Sequence, residues 1–165
     1  MVIQELFAKL TVEFLAYLAG FIDRDGAIMA QIVPRDDYVL KYQIRVTIQI
    51  SQRESRKPFL EKLMEEIGQG SIACRNGMCD LAIVKSRAVY QLLSLLHPYL
   101  RIKKQQALLI MEMLEGGPMS DKTPEQFVEL CKKANEVSAL NGPNKPLVHT
   151  WQSVQAKLLP PDAEG

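Results

Sequence analysis

The chain has 165 residues, 47% hydrophobic and 24% charged, with a formal net charge of +1, the size and mix of one soluble globular domain. No apolar run approaches the roughly 18 residues of a membrane span, and the start MVIQELFAKLTVEFLAYLAGF bears acids and lacks a basic region, which excludes a signal or transit peptide. Three cysteines, an odd number, argue against a disulfide framework and for a reducing compartment.

In chain order, Thr11 to Asp23 reads as a helix. Thr11 can cap it, Phe14, Leu15, Leu18, Phe21 and Ile22 recur at helical spacing, and Gly26 ends it. Its other face holds the small residues Ala16, Ala19 and Gly20, which let a second backbone come close. Two strands follow, Ala27 to Val33 and Gln43 to Ser51, parted by the loop PRDD. The second alternates without a break. Gln43, Arg45, Thr47, Gln49 and Ser51 point one way, and Ile44, Val46, Ile48 and Ile50 the other. The polar set contains amides, hydroxyls and an Arg but no acid, which suits hydrogen bonding to base edges.

Ser55 to Ile67 reads as a second helix, with Pro58 in its first turn and Gly68 stopping it. The string CRNGMC centres on Asn76-Gly77, the preferred type I′ hairpin turn, which pairs Arg75 with Met78 and Cys74 with Cys79. One hairpin face then shows Ala73, Arg75, Met78, Asp80 and Ala82. The other, Ile72, Cys74, Cys79, Leu81 and Ile83, is apolar and is expected to pack inward. Helices follow at Ser86 to Leu96, ended by His97-Pro98, and at Lys103 to Leu114, stopped by GGP at 116–118. Another is capped by Thr123 with Pro124 at its first position and stopped by Asn141-Gly142-Pro143, and a short one lies near Leu147 to Leu159. The order through residue 96 is αββαββα.

The charge is unevenly spread. Residues 1–30 carry net −2, residues 31–111 net +6 (13 basic, 7 acidic) and residues 112–165 net −3. From Leu81 to Met111 there are five basic residues and no acid. Such asymmetry points to a polyanion partner. The C-x₄-C spacing of Cys74 and Cys79 could be half a zinc site, but no second pair follows and parity assigns both to the core. His97, His149 and Cys131 form no nucleophile constellation. The aromatic residues do not cluster as a stacking platform for single strands.

At the first helix-to-strand junction the chain reads LAGFIDRDG, Leu18 to Gly26. With the αββαββα order, this resembles the LAGLIDADG homing endonucleases. The stretches FLAYLAGFIDRDGAIMAQIVP, SQRESRKPFLEKLMEEIG and PYLRIKKQQA are similar, at matching spacing, to the single-motif homodimeric members encoded in introns of organellar ribosomal RNA genes. The resemblance spans Phe14 to Leu140. It implies an α+β fold in a single domain over 1–165, with a core at about 11–96 containing a saddle-shaped antiparallel sheet, and extra C-terminal helices at about 103–159.

The resemblance also implies roles. Asp25 matches the metal-binding Asp, and the backbone carbonyl of Arg24, where close relatives have Gly, would assist it. Gln52, Arg56 and Lys103 match residues that order solvent around the scissile phosphates. As ordinary residues, the motif acids would be turn-formers beside Gly26, Gln52 a strand end, Arg56 an exposed helix start and Lys103 a solvated base. The DNA-facing candidates are Met29, Gln31, Val33, Arg35, Tyr38, Gln43, Arg45, Thr47, Gln49, Ser51, Arg75, Asp80 and Lys85, with Ala73 and Ala82 on the same face. The dimer interface is expected at Val12, Ala16, Ala19 and Gly20. Two Asp25 carboxylates meeting across a two-fold axis are tolerable only with divalent cations. Mg²⁺ is expected, with Mn²⁺ able to substitute and Ca²⁺ supporting binding without cleavage. The implied activity is site-specific cutting of a long pseudo-palindromic duplex, promoting intron homing in a chloroplast or mitochondrion. The rivals are an RNA maturase and a non-cleaving DNA-binding protein of the same fold.

Overall fold

A computed structural model describes residues 6–142 and 146–161. Pro143, read as part of a helix stop, lies outside the described residues. The chain runs α1 (Val12–Asp25), β1 (Gly26–Pro34), β2 (Tyr42–Arg53), α2 (Lys57–Ile67), β3 (Ser71–Arg75), β4 (Met78–Ile83), α3 (Ser86–Leu96), α4 (Lys104–Glu115), α5 (Pro124–Leu140) and α6 (Trp151–Leu158). The αββαββα order is therefore present, followed by three further helices.

Local chemistry sets the boundaries. The Thr11 side chain accepts the N–H of Phe14 at the start of α1. Thr123 and Thr150 each close a capping box, with Gln126 and Ser153. The cap at Thr150 starts α6 at Trp151, later than the expected Leu147. The segment expected to be helical from Ser55 opens as a 3₁₀ turn, Glu54–Arg56, before α2. Asn76 and Gly77 take φ of 54° and 79°, the left-handed pair a type I′ turn requires. Gly26 is needed for a different reason. Its backbone is extended, but a Cβ there would lie 2.8 Å from Ile22 Cα and 3.0 Å from the Gln49 carbonyl oxygen. The end of α1 thus sits directly against β2.

The four strands form one antiparallel sheet in the order β1-β2-β4-β3. Alternation sends Ile28, Ala30, Ile32, Ile44, Val46, Ile48, Ile50, Cys79, Leu81 and Ile83 to one face, all buried. Helices cover that face. Leu18 and Ile22 of α1, Leu60 of α2, Leu92, Leu93 and Leu96 of α3, Ile110 of α4 and Phe127 of α5 are fully buried in the same core. Each such side chain contributes on the order of 1.5–3 kcal/mol. Asn141 ties α5 to the sheet by donating from Nδ2 to the Ile28 carbonyl and accepting from Gln106 Nε2. The opposite sheet face keeps its polar side chains.

The cysteines correct the sequence reading. Cys74 and Cys79 form a disulfide, and Cys131 is free and buried. The odd count thus conceals one bridge plus one thiol. The two cysteines face each other across the hairpin, in register, with Cα atoms 4.0 Å apart. Cys79 is buried, but Cys74 is exposed, because β3 is the outer strand and only Ile72 on it is even half-buried. Parity fixed the face, but an edge strand lacks the cover to make that face a core.

Candidate functional site

The polar face of the sheet is built in rungs. Gln31 lies opposite Arg45, Met29 opposite Thr47 and Val33 opposite Gln43. Ala27, Gln49, Ala82 and Ser71 form one rung across all four strands, and Ser51, Asp80 and Ala73 form the next over three. The expected residues of both hairpins therefore share one continuous surface. Gln31, Arg45 and Arg75 are exposed, whereas Met29, Val33, Gln43, Gln49, Ser51 and Asp80 are half-buried. Thr47 is a correction. It lies on this face but is only 6% exposed, a short side chain with Met29 across from it and Arg45 and Gln49 two residues to either side.

The face extends further than expected. Strand β2 runs to Arg53, which is exposed and shares a rung with Met78 and Arg75. The odd-number parity of β2 continues to Arg53, two residues beyond the Ser51 at which the sequence pattern ends. At the other end, Arg35 is already engaged. It donates to both carboxylate oxygens of Asp37 at 3.0 and 2.9 Å and to Gln43 Oε1 at 2.8 Å, and it stacks on Tyr38 at 4.4 Å. The hydrogen bond from Arg35 holds the Asp37 carboxyl below its ordinary range. Lys85 is exposed at the cap position of α3.

The motif residues cluster where α1 meets the sheet. Asp25 ends α1 with its carboxylate 41% exposed and Arg24 Nε 3.8 Å away. Asp23, two residues earlier, turns the other way. Its Oδ2 accepts the N–H of Arg101, and its Oδ1 accepts those of Ile102 and Lys103. In return Lys103 Nζ donates to the Asp23 carbonyl oxygen at 2.6 Å. This contact brings Lys103 to the end of α1 from 80 residues away. Gln52 is 6% exposed and accepts from Arg56 Nη1 at 3.0 Å, so these two act as a pair. The anchoring of Asp23 is not readable in the sequence beyond the motif itself, because its partners are remote main-chain groups.

Hard oxygen donors such as the Asp25 carboxylate and the Arg24 carbonyl suit Mg²⁺ or Ca²⁺. Among the described residues, no group of three or more His, Cys, Asp or Glu is placed to hold a metal ion. On α1, Val12, Ala16 and Gly20 are exposed and lie at four-residue intervals. Ala19 is fully buried within its own chain, because it sits one position round on the core-facing side. It is not available to a partner, contrary to the expectation.

The LAGLIDADG endonuclease family model matches residues 18–113. The chain belongs to that family. It is 37% identical over 150 residues to DNA endonuclease I-CreI of Chlamydomonas reinhardtii, covering 91% of both chains. It is also 37% identical over 131 residues to DNA endonuclease I-CvuI of Chlorella vulgaris, covering 79% of this chain and 81% of that one. A crystal structure of I-CvuI in complex with its target in the presence of Ca superposes with a TM-score of 0.82 at 34% identity, over 89% of this chain and 95% of that one. The archaeal homing endonuclease I-Vdi141I complexed with DNA, at 19% identity and a TM-score of 0.75 over 87% of this chain and 93% of that one, shares the fold. As a homing endonuclease of the LAGLIDADG family, the chain ends its motif helix at Asp25, with Lys103 held at the same helix end through Asp23.

Proposed function

We propose that this homing endonuclease works as a homodimer that cuts both strands of a long, pseudo-palindromic DNA duplex with Mg²⁺. The observation that carries the proposal is the placement of Asp25. Its exposed carboxylate ends the same helix whose Val12, Ala16 and Gly20 face solvent. Gly20 supports the dimer further. A Cβ at this position would meet nothing within 4 Å, so the single chain gains nothing from a helix-interior glycine that costs roughly 0.5–1 kcal/mol relative to alanine. Close approach of a second α1 accounts for it and would bring two Asp25 residues together.

A bound divalent ion would supply a Lewis acid for the phosphoryl oxygen and lower the pKa of bound water. Asp25 and the Arg24 carbonyl would hold it, and Mn²⁺ would substitute, whereas Ca²⁺ would support binding alone. The chain's own groups then orient the phosphate. Lys103 Nζ donates one hydrogen bond to Asp23 and has two more to offer. Arg56 spends one N–H on Gln52, which leaves its remaining donors and the Gln52 amide N–H groups for phosphate oxygens and ordered water. These cations would steady charge that develops on the phosphate. The polar sheet face would lie along the major groove of one half-site, with Arg and Gln side chains reading guanine and adenine. The protein would act in the organelle whose genome encodes it, where the break promotes copying of an intron.

The test is cleavage of plasmids carrying ribosomal-RNA-gene fragments, with Mg²⁺ and with Ca²⁺. Discrete double-strand cutting at one site in Mg²⁺, and binding alone in Ca²⁺, is expected. Binding of that site in Mg²⁺ without cutting would overturn the nuclease reading.

A further inference from the structure

On the sheet face, three side chains form one directed hydrogen-bond chain. Gln49 Nε2 donates to Ser51 Oγ at 3.2 Å, and Ser51 Oγ donates to Asp80 Oδ1 at 2.5 Å. A hydroxyl has one proton. With that proton committed to the carboxylate, Ser51 can only accept from Gln49, so the amide is fixed with its nitrogen toward Ser51. Gln49 is left with one N–H donor and its Oε1 acceptor. Asp80 is left with Oδ2 and no donor. Their rung neighbours are alanines, Ala27 and Ala82 beside Gln49 and Ala73 beside Asp80, which neither donate nor accept. Among the described residues no ion pair neutralises Asp80.

We infer that the Gln49–Ser51–Asp80 chain fixes base identity in each half-site, requiring adenine at Gln49 and an amino-bearing base, cytosine or adenine, at Asp80. This rests on the DNA-facing reading of the sheet. One donor beside one acceptor matches adenine N7 and N6. An acceptor-only carboxylate matches cytosine N4 or adenine N6 and is repelled by guanine O6 and thymine O4, so it selects by rejection as well as attraction. An acid is also repelled by the phosphates, and a base amino group in the groove offers the donor that the free Oδ2 lacks. Diagonal neighbours on a sheet lie about 7 Å apart, roughly two base steps of about 3.4 Å. The two fixed bases therefore fall about two positions apart. Ser51 is a positioning residue, since it acts by orienting the other two.

The test is selection of bound duplexes from a randomised pool by the full-length protein in Ca²⁺, followed by Mg²⁺ cleavage of the enriched duplexes. Wild type is expected to fix adenine about two steps from a cytosine or adenine. Asp80→Asn, which can donate as well as accept, should admit guanine or thymine at the second position and reduce its preference about tenfold, leaving the adenine fixed. Ser51→Ala, which frees the Gln49 amide to turn over, should relax the adenine and spare the second position. A keto base opposite Asp80 in wild type, or a profile unchanged in Asp80→Asn, would overturn the inference while leaving the nuclease reading intact if the enriched sites are cut. A pool with no enrichment would overturn both.

Discussion

The Asp23 carboxylate accepts the main-chain N–H of Lys103 at 3.0 Å, and the Lys103 ammonium returns a 2.6 Å hydrogen bond to the Asp23 carbonyl. The two motif acids therefore have divided roles. Asp25 stands exposed at the end of α1, and Asp23 holds the turn before α4 so that Lys103 stands beside it. An acid at this position also satisfies N–H groups leading into the N-terminus of α4, where negative charge is favoured.

Removing either partner should have a different effect. Asp23→Ala leaves three main-chain donors without their acceptor and should cost about 2–4 kcal/mol of stability, together with a large loss of cutting. Lys103→Ala keeps those bonds. It should cost about 1–2 kcal/mol, the loss of one charge-assisted hydrogen bond, while still slowing cleavage. Chemical denaturation and single-turnover cleavage of the two variants check this.

Gly20→Leu separates folding from assembly. A side chain there enters open space in the single chain, so secondary structure and folding should be retained. In the dimer it would hold the two helices apart. Sedimentation should show wild type at twice the mass of one chain and Gly20→Leu as a monomer that no longer cuts.

The thiols provide a chemical count. Burial pushes the Cys131 thiol up to about 12, which keeps it protonated and unreactive at neutral pH. Folded protein should show no thiol reacting with a disulfide reagent. Denaturation without reductant should expose one thiol per chain, and denaturation with reductant three.

The Arg35–Asp37 pair should persist well into acid. Asp37 is held below its ordinary value of 3.8 by the Arg35 hydrogen bond. The pair is therefore in place above that value and is lost only as pH falls through the lower, folded-state pKa. Carbon NMR of the Asp37 carboxyl should titrate below 3.8, and Arg35→Gln should move the midpoint back up.

Period-two alternation made β2 legible from Gln43 to Ser51, and the Asn-Gly turn set the hairpin register that places Asp80 opposite Ala73. These signals are local, so they survive in the sequence. The role of Asp23 does not, because its partners are main-chain groups 78 to 80 residues away. Cover is equally invisible. Parity put Cys74 inward and Thr47 outward, yet neighbours leave the first exposed and bury the second. Ala19 was lost to the interface for a related reason. It differs from Ala16 and Gly20 by one step around the helix, and only the packing of α1 shows which side of that step meets the core.

In the proposed dimer, two copies of Asp25 complete one cleavage centre. The most direct measurement is cleavage of a bound cognate duplex in Mg²⁺ by wild type and by Asp25→Asn, with binding followed in parallel in Ca²⁺. Because Asp25 is exposed and, among the described residues, its ion pair is with Arg24 alone, the variant should fold and remain dimeric. The predicted result is retained DNA binding with cleavage of both strands reduced by at least about a thousandfold, the scale of losing a principal charge-stabilising group. Cutting by Asp25→Asn at the wild-type rate would contradict the account.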